Sequence, residues 1–181
     1  ESSSDGMDGM DNSGSDTSSA SGTGDTANVT FAQLMIPHHE QAIEMAGLAL
    51  KYAKSTEVKQ LATQIQSAQG PEIEQMTQWL QDWGAPTAMP SSDGDMGGMD
   101  MGGMESDGMM TEGEMESLAA SRGLEFDRMW LQMMIAHHEG AIAMAQQVLE
   151  TTNTDAVAAL AEDIIQAQQS EIETMQQLLT Q

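Results

Sequence analysis

The sequence contains no cysteine, which excludes disulfide bonds and thiolate metal ligands. Its five lysine and arginine residues stand against 29 acidic residues, so the formal net charge is −24 at pH 7. Such a chain has no basic track for phosphate groups, and nucleic acids and anionic membranes are therefore unfavourable partners. No apolar run is long enough for a transmembrane segment.

The composition that remains favours helices. Ala, Gln, Glu, Leu and Met are abundant, whereas β-branched residues are sparse, so the sequence predicts an all-α protein. Helical hairpins with short turns pack as an antiparallel four-helix bundle. We predict a disordered Ser/Gly/Asp tail at 1–27 and one four-helix domain at 28–181. Within that domain, hairpins at 28–85 and 114–181 flank a Met/Gly-rich linker at 86–113.

Capping residues indicate where two of the helices begin. Asn28 or Thr30 is a suitable N-cap for the first helix. Thr111 and Glu114 have the spacing of a capping box, which would start the third helix there. Gly123 disfavours such an early start, because glycine weakens a helix interior. The start of the third helix therefore stays open between these positions.

One phrase occurs twice and contains all four histidines of the chain. Residues 35–46 read MIPHHEQAIEMA, and residues 134–145 read MIAHHEGAIAMA, at an offset of 99 residues. The same offset relates two further pairs in the partner helices, Glu72 with Glu171 and Met76 with Met175. The repeat indicates a duplicated helical hairpin.

The histidines of each phrase flank an apolar stripe. At about 100° per residue, His38 lies about 60° to one side of Met35 and His39 about 40° to the other. Both rings are therefore predicted to face the core. The second copy repeats the arrangement with Met134, His137 and His138.

The partner helices each carry a carboxylate on the predicted inner face. Glu72 lies inside an apolar stripe that also includes Ala68 and Trp83, and Glu171 lies inside the matching stripe of the last helix. A carboxylate in a core is costly unless it is paired or coordinates a metal. The histidines of the facing helix are its natural partners.

These residues together suit a soft metal ion. Each hairpin offers two imidazoles, one carboxylate and two thioethers, from Met35 and Met76 or from Met134 and Met175. Imidazole suits several transition metals, whereas thioether selects Cu⁺. We favour copper as Cu⁺, with Cu²⁺ as an alternative state and zinc as a weaker candidate. A di-iron site is disfavoured, because Met35 and Met134 stand where its Glu-x-x-His step needs glutamate.

The linker is a second candidate metal site. Glycines and acidic residues separate a series of methionines, Met96, Met99, Met101 and Met104. Glycine lets the backbone wrap several sulfurs around one ion, and a thioether needs no deprotonation to bind. The linker is thus predicted to capture a soft metal, the alternative being a flexible acidic spacer.

The pattern M-I-x-H-H-E-x-A-I-x-M-A, with Glu-x-x-x-Met in the second helix, resembles the CopM-like family. This family comprises ferritin-like helical bundles and was long classed as a domain of unknown function. The resemblance covers roughly residues 28–83 and 118–181. It implies export from the cytoplasm and, for some members, copper binding and tolerance. It also implies a ligand set of Met35, His38, His39, Met45 and Met76, with Met134, His137, His138, Met144 and Met175.

We therefore expect an extracytoplasmic protein that sequesters copper without catalytic turnover, or delivers it to a copper-transport or copper-resistance protein. It would be periplasmic, secreted or at the cell surface, where a lipid anchor ahead of Glu1 is one form of attachment. Two alternatives stay open. One is a structural or interaction bundle whose His–Glu pairs only fix the packing, and the other is a metal-dependent oxidase on a ferritin-like bundle.

Overall fold

The computed structural model describes residues 21–89 and 108–181, and in these ranges it contains five α-helices and no strand. The helices are α1 Ser21–Tyr52, α2 Thr56–Asp82, α3 Glu112–Ala120, α4 Gly123–Thr151 and α5 Asp155–Leu179. The predicted all-α bundle is confirmed. Within the described ranges, each helix is too short or too polar to serve as a membrane span.

The four long helices form two hairpins that meet through their first helices. α1 packs along α2, α4 packs along α5, and α1 and α4 pack against each other. By contrast, α2 and α5 have few contacts. The phrases that carry the histidines lie in α1 and α4, so the contact between the hairpins is also where the histidines come together.

The first helix begins earlier than the sequence predicted. α1 starts at Ser21, so residues 21–27 of the predicted tail are helical, and Asn28 is not an N-cap but a buried residue of the helix. Extending an existing helix fixes only one residue per hydrogen bond, so weak helix formers can continue it. The rest of the predicted tail and the linker positions 90–107 lie outside the described residues.

The predicted third helix is divided into α3 and α4. The Thr111 capping box is present, with Thr111 Oγ1 accepting from the backbone N–H of Glu114, and α3 runs from it to Ala120. The chain is extended at Ser121 and resumes as α4 at Gly123, whose φ is +65°. Only glycine adopts that angle readily. Gly123, which made a continuous helix unfavourable in the sequence, therefore lies at the break between α3 and α4.

The inner face of α2 differs from the prediction at two positions. Ala68 is exposed, and Trp83 is 38% exposed and stacks on Trp79 with ring centroids 5.9 Å apart. The inward positions beside them are taken by Gln69 and Leu80. The sequence predicts Ala68 and Trp83 on the inner face because both are apolar, and it does not predict Gln69 there because glutamine is polar.

Two buried polar residues connect each hairpin to the turn of the other. Asp127 on α4 accepts hydrogen bonds from the backbone N–H groups of Lys54 and Ser55, at 2.9 and 2.8 Å. Asn28 on α1 donates from Nδ2 to Thr154 Oγ1 at 2.9 Å. Asn28 and Asp127 are related by the repeat offset, so these bonds fix both hairpins in matching positions.

Candidate metal centre

The four histidines lie at the α1–α4 contact and are at most 1% exposed. The rings of His38 and His137 come from different hairpins and face each other, with centroids 3.7 Å apart and planes tilted by 35°. The duplication therefore places matching imidazoles side by side. The other two histidines turn toward the second helix of their own hairpin.

Each of those two rings bonds to the inward carboxylate. The Nε2–H of His39 donates to Oε2 of Glu72 at 2.6 Å, and the Nε2–H of His138 donates to Oε2 of Glu171 at 2.6 Å. The glutamate side chains are 20% and 16% exposed, whereas both rings are fully buried. The carboxylates thus reach the core from its edge, as the position of Glu72 in its stripe predicted.

Several imidazole nitrogens are buried with no hydrogen-bond partner among the described residues. They are Nδ1 of His39, Nδ1 of His138 and Nε2 of His137. Buried polar atoms are rarely left in this state, since each costs free energy comparable to a lost hydrogen bond. A metal ion that accepts their lone pairs would remove this cost.

Burial also keeps one of these rings neutral. Loss of solvation, and then repulsion from the other three histidines, holds the pKa of His137 far below its usual range. A metal binds the neutral imidazole, so this ring needs no deprotonation before it binds a metal at neutral pH.

Six methionines are buried in the core of the bundle, none more than 7% exposed. One core cluster contains Met45, Met134 and Met175, and the other contains Met35, Met76 and Met144. Each methionine of one trio has its repeat partner, 99 residues away in the sequence, in the other trio. Each trio takes two thioethers from one hairpin and one from the other, so Met45 and Met144 cross to the opposite cluster. The helical pattern predicted four of these thioethers beside the histidines, whereas Met45 and Met144 came only from the family resemblance, and the exchange was not predicted.

Two glutamines of the core were missed by the sequence reasoning. Gln69 and Gln168 are each 3% exposed, and neither Oε1 atom has a hydrogen-bond partner in the described parts of the chain. Each lies three residues before an inward glutamate, on the same helix face. The repeat offset relates them, and that was the signal that could have identified them.

The end of the linker packs directly on α4 beside the histidines. Gly108 has a φ of +78°, and a Cβ atom there would lie 3.1 Å from the Cα atoms of His137 and Gly140. It would also approach the carbonyl oxygen of Ala136 more closely than real Cβ atoms approach any atom. Only glycine fits at this position.

A second contact fixes the same segment to α1. Gln41 accepts from the backbone N–H of Met110 at 2.7 Å and donates to its carbonyl oxygen at 2.9 Å. The chain that leaves the methionine linker is thus held between α1 and α4. The predicted linker ligands Met96, Met99, Met101 and Met104 lie outside the described residues.

Across residues 21–89 and 108–181, no three histidine or acidic side chains converge in a way that could hold a metal ion. A closed site of nitrogen and oxygen ligands, as zinc prefers, is therefore not formed there. The other potential donors buried in the core are imidazole nitrogens and thioether sulfurs. That donor set is typical of Cu⁺ sites.

Comparison with known proteins gives one family and several solved structures. The family described as "Domain of unknown function (DUF305)" matches residues 28–179. A DUF305 protein from Streptomyces coelicolor, whose description infers that it is secreted, has a TM-score of 0.76 and 32% identity, covering 85% of this chain and 92% of that one. Among proteins with curated descriptions, none matches significantly.

Two further solved structures are of CopM with copper bound. CopM in the Cu(II)-bound form has a TM-score of 0.70 and 34% identity, covering 84% of this chain and 95% of that one. CopM in the Cu(I)-bound form has a TM-score of 0.67 and 32% identity, with the same coverage of 84% and 95%. CopM has also been solved with silver bound.

Proposed function

The chain belongs to the DUF305 family of domains of unknown function, and we propose that it is an extracytoplasmic protein that binds copper in order to sequester it or hand it on. The observation that carries the proposal is a set of buried imidazole nitrogens with no partner among the described residues, in a core that also contains two trios of buried thioethers. CopM, which has the same fold, binds copper and silver, and this supports the proposal.

The donor atoms favour Cu⁺. Thioether sulfur is a soft ligand and binds Cu⁺ in preference to zinc, while imidazole accepts either oxidation state of copper. The bundle ligands we propose are His38, His39, His137 and His138 with the six buried methionines. Cu²⁺ bound mainly through imidazole is the alternative state.

We further propose that the linker supplies the bundle with metal. Its methionines would capture an ion without any change of protonation. Gly108 holds the end of the linker against the backbone of His137, so an ion carried there would be close to the buried ligands. Covalent connection to a second site raises the effective concentration of the ion at that site.

Our proposal includes no catalytic turnover. The ion is cargo, received from the medium and passed to a copper-transport or copper-resistance protein. An oxidase would need an open coordination position and redox cycling. Oxygen consumption in the presence of Cu⁺ or Fe²⁺ measures this directly, and oxidation of more metal than the chain binds would contradict the proposal.

A second candidate function has one observation in its favour. The two short His–Glu hydrogen bonds give a partner to one ring of each histidine pair, as expected of a structural or interaction bundle that uses them to fix its packing. Such a protein would have the same free energy of unfolding with and without copper. A copper-binding protein gains about 2.7 kcal/mol when free metal is at 100 times its Kd.

Anaerobic titration with Cu⁺ against a competing chelator tests the proposal, with zinc titrated in parallel. We expect several equivalents of Cu⁺ to bind tightly and zinc to bind weakly. Replacing His38, His39, His137 and His138 by alanine should remove the equivalents held in the bundle and leave those of the linker. Unchanged stoichiometry in this variant would show that the histidines hold no copper and would contradict the proposed bundle site.

A further inference from the structure

We propose that Glu72 and Glu171 are not metal ligands but positioning residues, which fix the tautomers of His39 and His138 so that the metal binds at Nδ1 of each ring. The inference rests on the proposed copper binding and specifies the atom through which that binding occurs. It also assigns the two glutamates a function that differs from ligation.

The argument begins with the proton of the imidazole. A neutral imidazole has one N–H and one lone pair, and a carboxylate can only accept a hydrogen bond. Because Glu72 lies 2.6 Å from Nε2 of His39, the proton must be on Nε2 and the lone pair on Nδ1. The 2.6 Å contact of Glu171 fixes His138 in the same way.

The result does not depend on the protonation state before binding. If the ring is cationic, the proton on Nε2 stays in its bond to the carboxylate, and the proton that leaves for solvent when metal binds comes from Nδ1. Hydrogen bonding to a carboxylate also makes the ring a stronger donor to the metal. In both states the glutamate directs the metal to Nδ1.

The surroundings of Nδ1 agree with this assignment. In both rings the atom is shielded from solvent and has no partner among the described residues. Met35 precedes His39 by four residues, and Met134 precedes His138 by four, so each thioether is on the same helix face as its ring. Side chains on a helix lean toward its N-terminus, which brings each ring toward that methionine.

Nuclear magnetic resonance of the full chain, labelled with nitrogen-15 in histidine, tests the tautomer and the ligand atom separately. Before metal is added, we expect His39 and His138 to show a protonated Nε2 and an unprotonated Nδ1. On addition of silver(I), the resonance that shifts and shows coupling to silver should be Nδ1. A protonated Nδ1 in the metal-free protein, or silver bound at Nε2, would overturn the inference and leave the proposed function intact. Silver bound to no imidazole nitrogen would overturn both.

Two matched variants separate positioning from a general effect of charge. Glu72→Gln keeps the shape of the side chain but can donate or accept, so it no longer enforces one tautomer. We expect a mixture of tautomers at His39 and about 10–100-fold weaker silver binding at that hairpin. Glu74→Gln removes the same charge from an exposed position on the same helix and should change neither. A Glu72→Gln protein that remains folded, with the tautomer and affinity of the parent, would refute the positioning role.

Discussion

Replacing Gly108 by alanine should release the end of the linker from α4 without unfolding the bundle. A residue with a side chain pays about 1–2 kcal/mol to adopt the left-handed φ of +78° found here. The new Cβ would in addition press against backbone atoms of Ala136 and His137, which cannot move without distorting α4. Separation of the segment from α4 relieves both costs.

Hydrogen exchange at the backbone amide of Met110 measures this effect. The N–H of Met110 is bonded to Gln41, so we expect its hydrogen exchange to accelerate at least tenfold, since about 1.4 kcal/mol corresponds to a factor of ten. Copper uptake should also be slower. Trp130 reports on it, because its indole N–H donates to the carbonyl of Met45 at 2.8 Å and its fluorescence senses that cluster.

Gly84 supplies the matched control. Its φ is +66°, but a Cβ there would meet nothing within 4 Å, so Gly84→Ala carries the conformational cost without the contact. We expect Gly84→Ala to leave Met110 exchange and copper uptake unchanged. If Met110 exchange and copper uptake change in both variants, or in neither, the claim that the close approach of Gly108 to α4 holds the linker in place is refuted.

Substitutions at three further positions test other parts of the structure. Trp130→Phe removes the hydrogen bond to Met45 and should lower the free energy of unfolding in denaturant by about 1–2 kcal/mol; an unchanged value would show that the bond contributes nothing. Asp127→Ala leaves two backbone N–H groups without their acceptor and should lower the free energy of unfolding by about 2–3 kcal/mol. Asp127→Asn should recover part of this stability. Equal losses of stability in the two variants would contradict this account. Thr111→Ala should cost α3 about 1 kcal/mol, seen as faster hydrogen exchange confined to that helix. Hydrogen bonds from the backbone and then the hydroxyl of Thr111 lower the pKa of Glu114, so this contribution is complete above the unfolded pKa and is lost as the pH falls through the folded pKa. Thr111→Ala keeps the backbone hydrogen bond to Glu114 and loses the hydroxyl bond, so the acid weakening of α3 should be smaller in this variant, and undiminished weakening would contradict a contribution of the hydroxyl.

The inward histidines and glutamates were predictable from the sequence. A helix repeats every 3.6 residues, so a charged residue such as Glu72 inside an apolar stripe stands out and requires a partner. The facing histidines were the only candidates with matching duplication. Periodicity and the duplication together predicted a histidine opposite each glutamate, and the structure shows that it is His39 or His138.

Other features depend on how the hairpins pack, which local periodicity does not contain. The exchange of Met45 and Met144 between the two clusters follows from the α1–α4 contact. Gln69 gave no signal in the helical periodicity, because a neutral amide there resembles any surface residue, and the repeat offset to Gln168 was the signal that could have identified it. Gly108 was one glycine among many in its segment, and its requirement is visible only from the neighbouring backbone of α4.

X-ray absorption at the copper edge tests the central claim most directly, with one equivalent of Cu⁺ bound to the intact chain. Our account predicts imidazole nitrogen and thioether sulfur together in the coordination shell. It also predicts that the nitrogen contribution disappears when the four histidines are replaced by alanine. A shell of sulfur alone in the intact protein, or of nitrogen and oxygen without sulfur, would contradict a copper site built from the buried histidines and methionines of the bundle.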